Sequence, residues 1–250
     1  MSIVTKLFPE IADVASGAAA KLFDKPSTTD QKLVNLALDN VAKAEDFTIN
    51  SGKTQRANTT NTYTKAFDLL GINEGETVVD AGAGLGLGSL SAKERGANLI
   101  TVEPNPQKGF EPDFNYLDDV PDNVADKLVN MNVLNVVEKD VRDNLVQQIG
   151  RVLKENGSGI INTRSAAEVN AAKNKIKSGD GWIIGTGKER TFQKGFTPKE
   201  LQEYVKQILG QGFAVEPVKN LSGSSVKITK LPMQYEDINA STLPQPLEGL

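Results

Sequence analysis

Val78-Val79-Asp80-Ala81-Gly82-Ala83-Gly84-Leu85-Gly86 is the stretch on which the fold turns. Two β-branched residues and an aspartate read as the end of a buried strand, and glycines just beyond a first strand let a ligand approach the backbone as a helix begins. Downstream, Gly88–Gly96 (GSLSAKERG) has helical spacing and Asn98–Glu103 (NLITVE) reads as a second strand, so the stretch opens a βαβ unit. Glu103 ends that second strand about 20 residues after the first glycine, where a carboxylate can hold both hydroxyls of a ribose. The glycines alone also suit an ordinary tight turn; with Asp80 and Glu103 they point to an adenosine-type cofactor.

Spacing separates the candidate cofactors. A dinucleotide site requires G-x-G-x-x-G, but position 87 is Leu and position 89 is Ser, so the fingerprint fails in both registers. What stands is D-x-G-x-G-x-G, and here the chain resembles the class I S-adenosylmethionine-dependent methyltransferases. The resemblance runs through Glu103-Pro104-Asn105-Pro106, Leu117-Asp118-Asp119, Asn132-Val133-Leu134-Asn135 and Leu153-Lys154-Glu155-Asn156-Gly157, and covers residues 60–230. It implies an α/β, Rossmann-like fold: a seven-stranded, mostly parallel sheet with an antiparallel last strand, preceded by N-terminal helices. It implies S-adenosylmethionine as cofactor and S-adenosylhomocysteine as product. It further implies that Asp80, Gly82, Gly84 and Gly86 wrap the methionine moiety, that Glu103 takes the ribose, that Asp118 or Asp119 meets the adenine amino group, and that Asn132 lies under the sulfonium. For Asp118 and Asp119 the plain alternative is a solvated turn; for Asn132 and Asn135 it is capping and loop hydrogen bonding.

Outward from this centre, residues 3–22 and 31–44 carry apolar positions at helical spacing, polar residues 48–62 read as a loop or lid, and Tyr63–Leu70 reads as a short helix. Further strands are expected at Phe114–Leu117, Val124–Met131, Gly159–Thr163, Phe213–Val218 and Ser225–Lys230, with helices at Val141–Leu153 and after Thr197-Pro198, and a polar turn at Lys154–Gly157. The organisation expected is a helical cap and lid loop over 1–59, the methyltransferase-like domain over 60–231 with a substrate-side insertion at 164–196, and an extended tail over 232–250.

Composition restricts the chemistry. The 250 residues include no cysteine and no histidine, which excludes a thiolate nucleophile, a Ser-His-Asp triad, an imidazole base and a Cys-ligated metal. Methyl transfer tolerates this, because displacement at an already activated carbon depends mainly on positioning. The cytosine-C5 type is excluded outright, and Met131-Asn132-Val133-Leu134 stands where amino-methylating DNA enzymes carry Asp/Asn-Pro-Pro-Tyr/Phe. Gly52-Lys53-Thr54 is no phosphate loop, since position 47 is Phe and no strand precedes it; Asp118, Asp119 and Asp122 have no geometry that would fix a metal, and none is expected.

The expected acceptor is an N or O atom of an unidentified substrate. Residues 164–199 carry eight Lys or Arg against three acids, a net +5 on a chain of net −4. A basic lobe on an acidic protein suits an anionic substrate or a nucleic acid, with Trp182 available for stacking. Asn135, Arg164, Trp182, Lys188 and Arg190 are the substrate-side candidates. The plain alternative makes Lys173 and Lys177 one solvated helical face and the aromatics anchors to the core. No secretory leader and no membrane span is read, so a cytoplasmic protein without a membrane partner is expected. Two competing functions are a catalytically silent cofactor-binding module within an assembly and a nicotinamide-dependent dehydrogenase, the latter weakened by Leu87.

Overall fold

The computed structural model describes residues 50–55, 60–186 and 190–232, all within one unit, Phe47–Leu250. The helices expected at 3–22 and 31–44, part of the 48–62 loop, Lys188 and almost all of the tail lie outside the described residues. A six-stranded sheet forms the centre. Its strands are β1 (Thr77–Ala81), β2 (Asn98–Val102), β3 (Ala125–Met131), β4 (Leu153–Thr163), β8 (Phe213–Pro217) and β9 (Ser224–Lys230), in the order β2-β1-β3-β4-β9-β8. The first four run parallel, and β9 is antiparallel to both of its neighbours.

Successive residues of each strand point to opposite faces, and the sheet is covered on both. Val78, Val129 and Ile160 meet the buried stripe Tyr63, Ala66, Phe67 and Leu70 of helix α1 (Thr60–Leu70), while Val79, Leu128 and Ile161 meet α3 (Lys139–Val152) and α5 (Pro198–Leu209). Between the first two strands lies only a one-turn helix, α2 (Leu90–Lys93), shorter than the 88–96 expected. For α5, Pro198 stands in the first turn and Thr197 and Glu200 form a reciprocal capping box, as Thr-Pro-x-Glu suggests.

Three expectations change. Phe114–Leu117 is not a strand: Phe114 makes one parallel bridge to Val102, and Leu117–Asp119 then curls into a 3-10 turn. The guanidinium of Arg151 donates to the carbonyls of Leu117 and Val120, both at 2.8 Å, which satisfies groups a ladder would otherwise have used. The main sheet therefore has six strands and not seven. The polar Lys154–Gly157 segment is not a separate turn but a bulge inside β4, where Ala125 pairs with Leu153 but Lys127 already pairs with Ser158 and Asn156 adopts φ 62°.

The insertion, finally, folds as a sheet of its own: β5 (Lys175–Ser178), β6 (Gly181–Ile184) and β7 (Thr191–Gln193), antiparallel, preceded by α4 (Ala166–Asn170). Lys177 thus sits on a strand and Lys173 beyond the end of α4, not on one helical face. The chain enters and leaves the insertion side by side, through a bridge between Ser165 and Phe196. A fully buried Arg142 from α3 fastens it: the guanidinium pairs with Asp180 of the β5–β6 turn and lies 5.4 Å from the ring centroids of both Phe196 and Tyr204. No helix among the described residues is long and apolar enough to cross a membrane.

Candidate functional site

At the C-terminal ends of β1, β3 and β4 lies a cavity of about 630 Å³, within the usual range of a small-molecule site. One wall is the glycine turn and the end of β2. Glu103 is 6% exposed, and its carboxylate accepts the Gly84 amide at 2.8 Å and the Asn105 amide at 2.9 Å. Burial pushes this carboxyl above its ordinary value, against the two amides that favour the charged form. The acid is thus fixed in the cavity wall, one oxygen on the glycine turn and the other on the segment that follows β2.

The three glycines serve different purposes. Each has positive φ: 98° at Gly82, 60° at Gly84 and 70° at Gly86. A Cβ on Gly82 would fall 2.2 Å from Val133 Cγ2, and one on Gly86 would fall 2.2 Å from Phe110 Cε2. On Gly84 the first atom met is Gln55 Cγ at 3.5 Å. Gly82 and Gly84 line the cavity; Gly86 is buried against Phe110 and does not.

Asp80 is also absent from the lining. It shares the sheet face of Val78, so its side chain points under the turn, where Oδ1 accepts the Tyr63 hydroxyl at 3.1 Å. Burial raises its pKa from 3.8 to about 7, opposed by hydrogen bonds from Ser89 and Tyr63 and assisted by the charge of Glu103. Its place fits holding α1 and the turn together.

The opposite wall gathers Asn132, Asn135 and Arg164 with a residue not read from the sequence, Gln193 of β7. Asn132 adopts φ 60° and donates its amide to the Asn162 carbonyl at 2.8 Å, turning the chain away from the sheet at the cavity floor. Asn135 is 1% exposed, and its Nδ2 donates to Gln193 Oε1 at 3.2 Å. The remaining boundary is the 3-10 turn Asn50–Thr54, held by Gln55 Nε2 donating to the Asn105 carbonyl at 3.1 Å. Gly52-Lys53-Thr54 therefore lies at the site although it is no phosphate loop; its partner is 50 residues away in the chain, and nothing local announces the contact.

The other candidates lie elsewhere. Asp118 and Asp119 are exposed on their 3-10 turn and are not among the residues lining the cavity. Trp182 lines a neighbouring cleft, its ring flanked by the ammonium groups of Lys175 and Lys177 at 4.8 and 5.0 Å. Arg190 is half-buried and outside the lining, and Lys188 lies outside the described residues.

No protein-family profile and no curated protein matches the chain. Among solved structures, PH0226 protein from Pyrococcus horikoshii OT3 superposes with a TM-score of 0.55 at 14% identity, covering 71% of this chain and 94% of that one. The 1,6-didemethyltoxoflavin-N1-methyltransferase of Burkholderia thailandensis, solved with 1,6-didemethyltoxoflavin and S-adenosylhomocysteine bound, superposes with a TM-score of 0.50 at 16% identity, covering 82% and 92%. The chain has the Rossmann-like fold of the class I methyltransferases.

Proposed function

We propose that this chain transfers the methyl group of S-adenosylmethionine to a nitrogen or oxygen of an acceptor bound in the same cavity. One observation carries this reading: a buried carboxylate, Glu103, that accepts the Gly84 amide beside the cavity in this fold. The residues fit an adenosine cofactor. Glu103 offers acceptors for two ribose hydroxyls, and Gly84, without a side chain on the cavity lining, leaves its backbone approachable up to the Gln55 side chain. The cofactor would supply a methyl group already activated on a sulfonium, so that the C–S bond breaks, sulfur keeps the electron pair, and a lone pair of the acceptor makes the new bond.

The protein's part is then placement and exclusion of water. Gly82 and Asn132 shape the floor, the Asn50–Thr54 turn closes the cofactor side, and the insertion closes the acceptor side. A proton carried by the acceptor is lost without help from an imidazole, since the chain has no histidine. The test is turnover: the chain incubated with methyl-labelled S-adenosylmethionine and fractionated small molecules, peptides and nucleic acids should release S-adenosylhomocysteine and label one fraction. Cofactor binding without release in any fraction would favour the silent module.

A further inference from the structure

We propose that the acceptor is a small carboxylic acid bearing an O–H or N–H near its acid group, with the carboxylate on Arg164 and the O–H or N–H donating to Asn135. This rests on reading the chain as a methyltransferase and narrows the substrate class of that site.

The cluster that faces the acceptor is polar and incompletely satisfied. Asn135, 1% exposed and lining the cavity, gives Nδ2 to Gln193, while its Oδ1 is buried without a hydrogen-bond partner. A buried amide oxygen left unpaired is unfavourable, and a ligand donor would satisfy it. Gln193, 4% exposed, spends Oε1 on both Asn135 and Arg164, the latter at 3.5 Å, and directs Nε2 to Thr191 Oγ1 at 3.3 Å. That shared oxygen holds the Arg164 guanidinium at the cavity.

Arg164 keeps its charge for a ligand. Among the described residues no carboxylate forms an ion pair with it: Glu168 is close enough to feel it, but gives Oε2 to the Ser165 amide and hydroxyl, both at 2.8 Å. A guanidinium presents paired donors that match a planar carboxylate, so an acid group is favoured over a neutral amide. Val136 and Ile184 line the same end, leaving apolar room for the acceptor's body.

Size and charge argue against a nucleic acid. The cofactor and acceptor share about 630 Å³. The Asn50–Thr54 turn touches β7, so the two walls approach each other beside the site. Lys175 and Lys177, which could follow a phosphate backbone, flank Trp182 at the neighbouring cleft, and Lys194 is paired to Glu200 at 2.5 Å.

The test uses the full chain loaded with S-adenosylhomocysteine and a panel of hydroxy and amino acids, aliphatic and aromatic, each beside its primary amide, with binding read by calorimetry. At least one acid is expected to bind about tenfold or more tightly than its amide. Arg164→Gln should erase the acid-over-amide preference, and Asn135→Ala should weaken acid and amide alike, both with unchanged affinity for S-adenosylhomocysteine, which reports an intact fold. Loaded protein that binds no acid, amides that bind as well as acids, or a preference that survives Arg164→Gln would each overturn the proposal. A chain that binds an acid but not S-adenosylhomocysteine would keep the acid site and remove the methyltransferase reading instead.

Discussion

The wall of the cavity proposed for the cofactor comes from two adjacent strands and the turns that follow them, residues 80–105, whereas the wall proposed for the acceptor is gathered from Asn135, Arg164 and Gln193, whose outermost members are 58 residues apart. The first wall is fixed by backbone conformation: glycines at positive φ and an acid that accepts two amides of its own neighbourhood. The second is fixed by side-chain packing across elements, with one buried arginine clamping the insertion to the helical layer. A site built this way can retain one ligand while its other half is exchanged, since changes in the insertion need not reach the glycine turn.

If the walls are independent, damage to one should spare the other. The largest effect is expected from Arg142→Ala, which leaves Asp180 without its partner and removes a cation from between Phe196 and Tyr204. Asp180 is itself partly exposed, so the cost comes mainly from emptying the space of a fully buried side chain and unpairing the Leu134 and Val137 carbonyls, about 3–5 kcal/mol. At roughly 2–4 °C per kcal/mol for a chain of this size, the melting temperature should fall by roughly 6–20 °C. Below that transition the affinity for S-adenosylhomocysteine should stay within a few-fold of the parent; a large loss would mean that the insertion also builds the cofactor wall.

Next in size is Glu103→Ala, which removes an acceptor of two ribose hydroxyls and also frees the Gly84 and Asn105 amides. With about 1.5–3 kcal/mol per charged hydrogen bond, and tenfold for each 1.4 kcal/mol, cofactor affinity should fall roughly a hundredfold or more by calorimetry. Binding within twofold of the parent would abandon the ribose role.

The smallest expected effect concerns Asp80, which supports the cofactor wall from beneath. Its pKa is raised from 3.8 to about 7, so between these values the folded chain keeps a proton that the unfolded chain has lost. Stability from this group is fully present below about pH 4, declines as pH rises toward 7, and is level above. The melting temperature of the ligand-free protein should therefore drop between pH 5 and 7, and Asp80→Asn should flatten that slope. An unchanged slope in the variant would assign the drop to other groups, Glu103 first, since its carboxyl is raised as well.

What was legible in the sequence follows the same division. Most strands of the main sheet, the glycine turn and the position of Glu103 just after β2 were readable because each depends on neighbours along the chain: apolar runs for the strands, spacing for the turn, a fixed distance to the acid. Asp80 was correctly placed at the end of β1, but the motif does not reveal that its sheet face is the one covered by Tyr63. The bonds from Arg151, about thirty residues on, to the Leu117 and Val120 carbonyls have no local signal, and the expected Phe114–Leu117 strand is reduced to one bridge. The insertion's three strands escaped notice because they are three or four residues long with little alternation, and Gln193 because an uncharged residue on a short strand carries no local signal.

Whether the cavity holds an adenosine cofactor of the S-adenosylmethionine type is tested most directly by thermal unfolding of the full chain with and without S-adenosylhomocysteine, with NADH as the control. Binding to the folded state alone adds about 2.7 kcal/mol at a hundred times the dissociation constant, which should raise the melting temperature by roughly 5–11 °C. That rise is expected with S-adenosylhomocysteine and none with NADH. An unchanged melt at millimolar S-adenosylhomocysteine, or a rise with NADH alone, would contradict it.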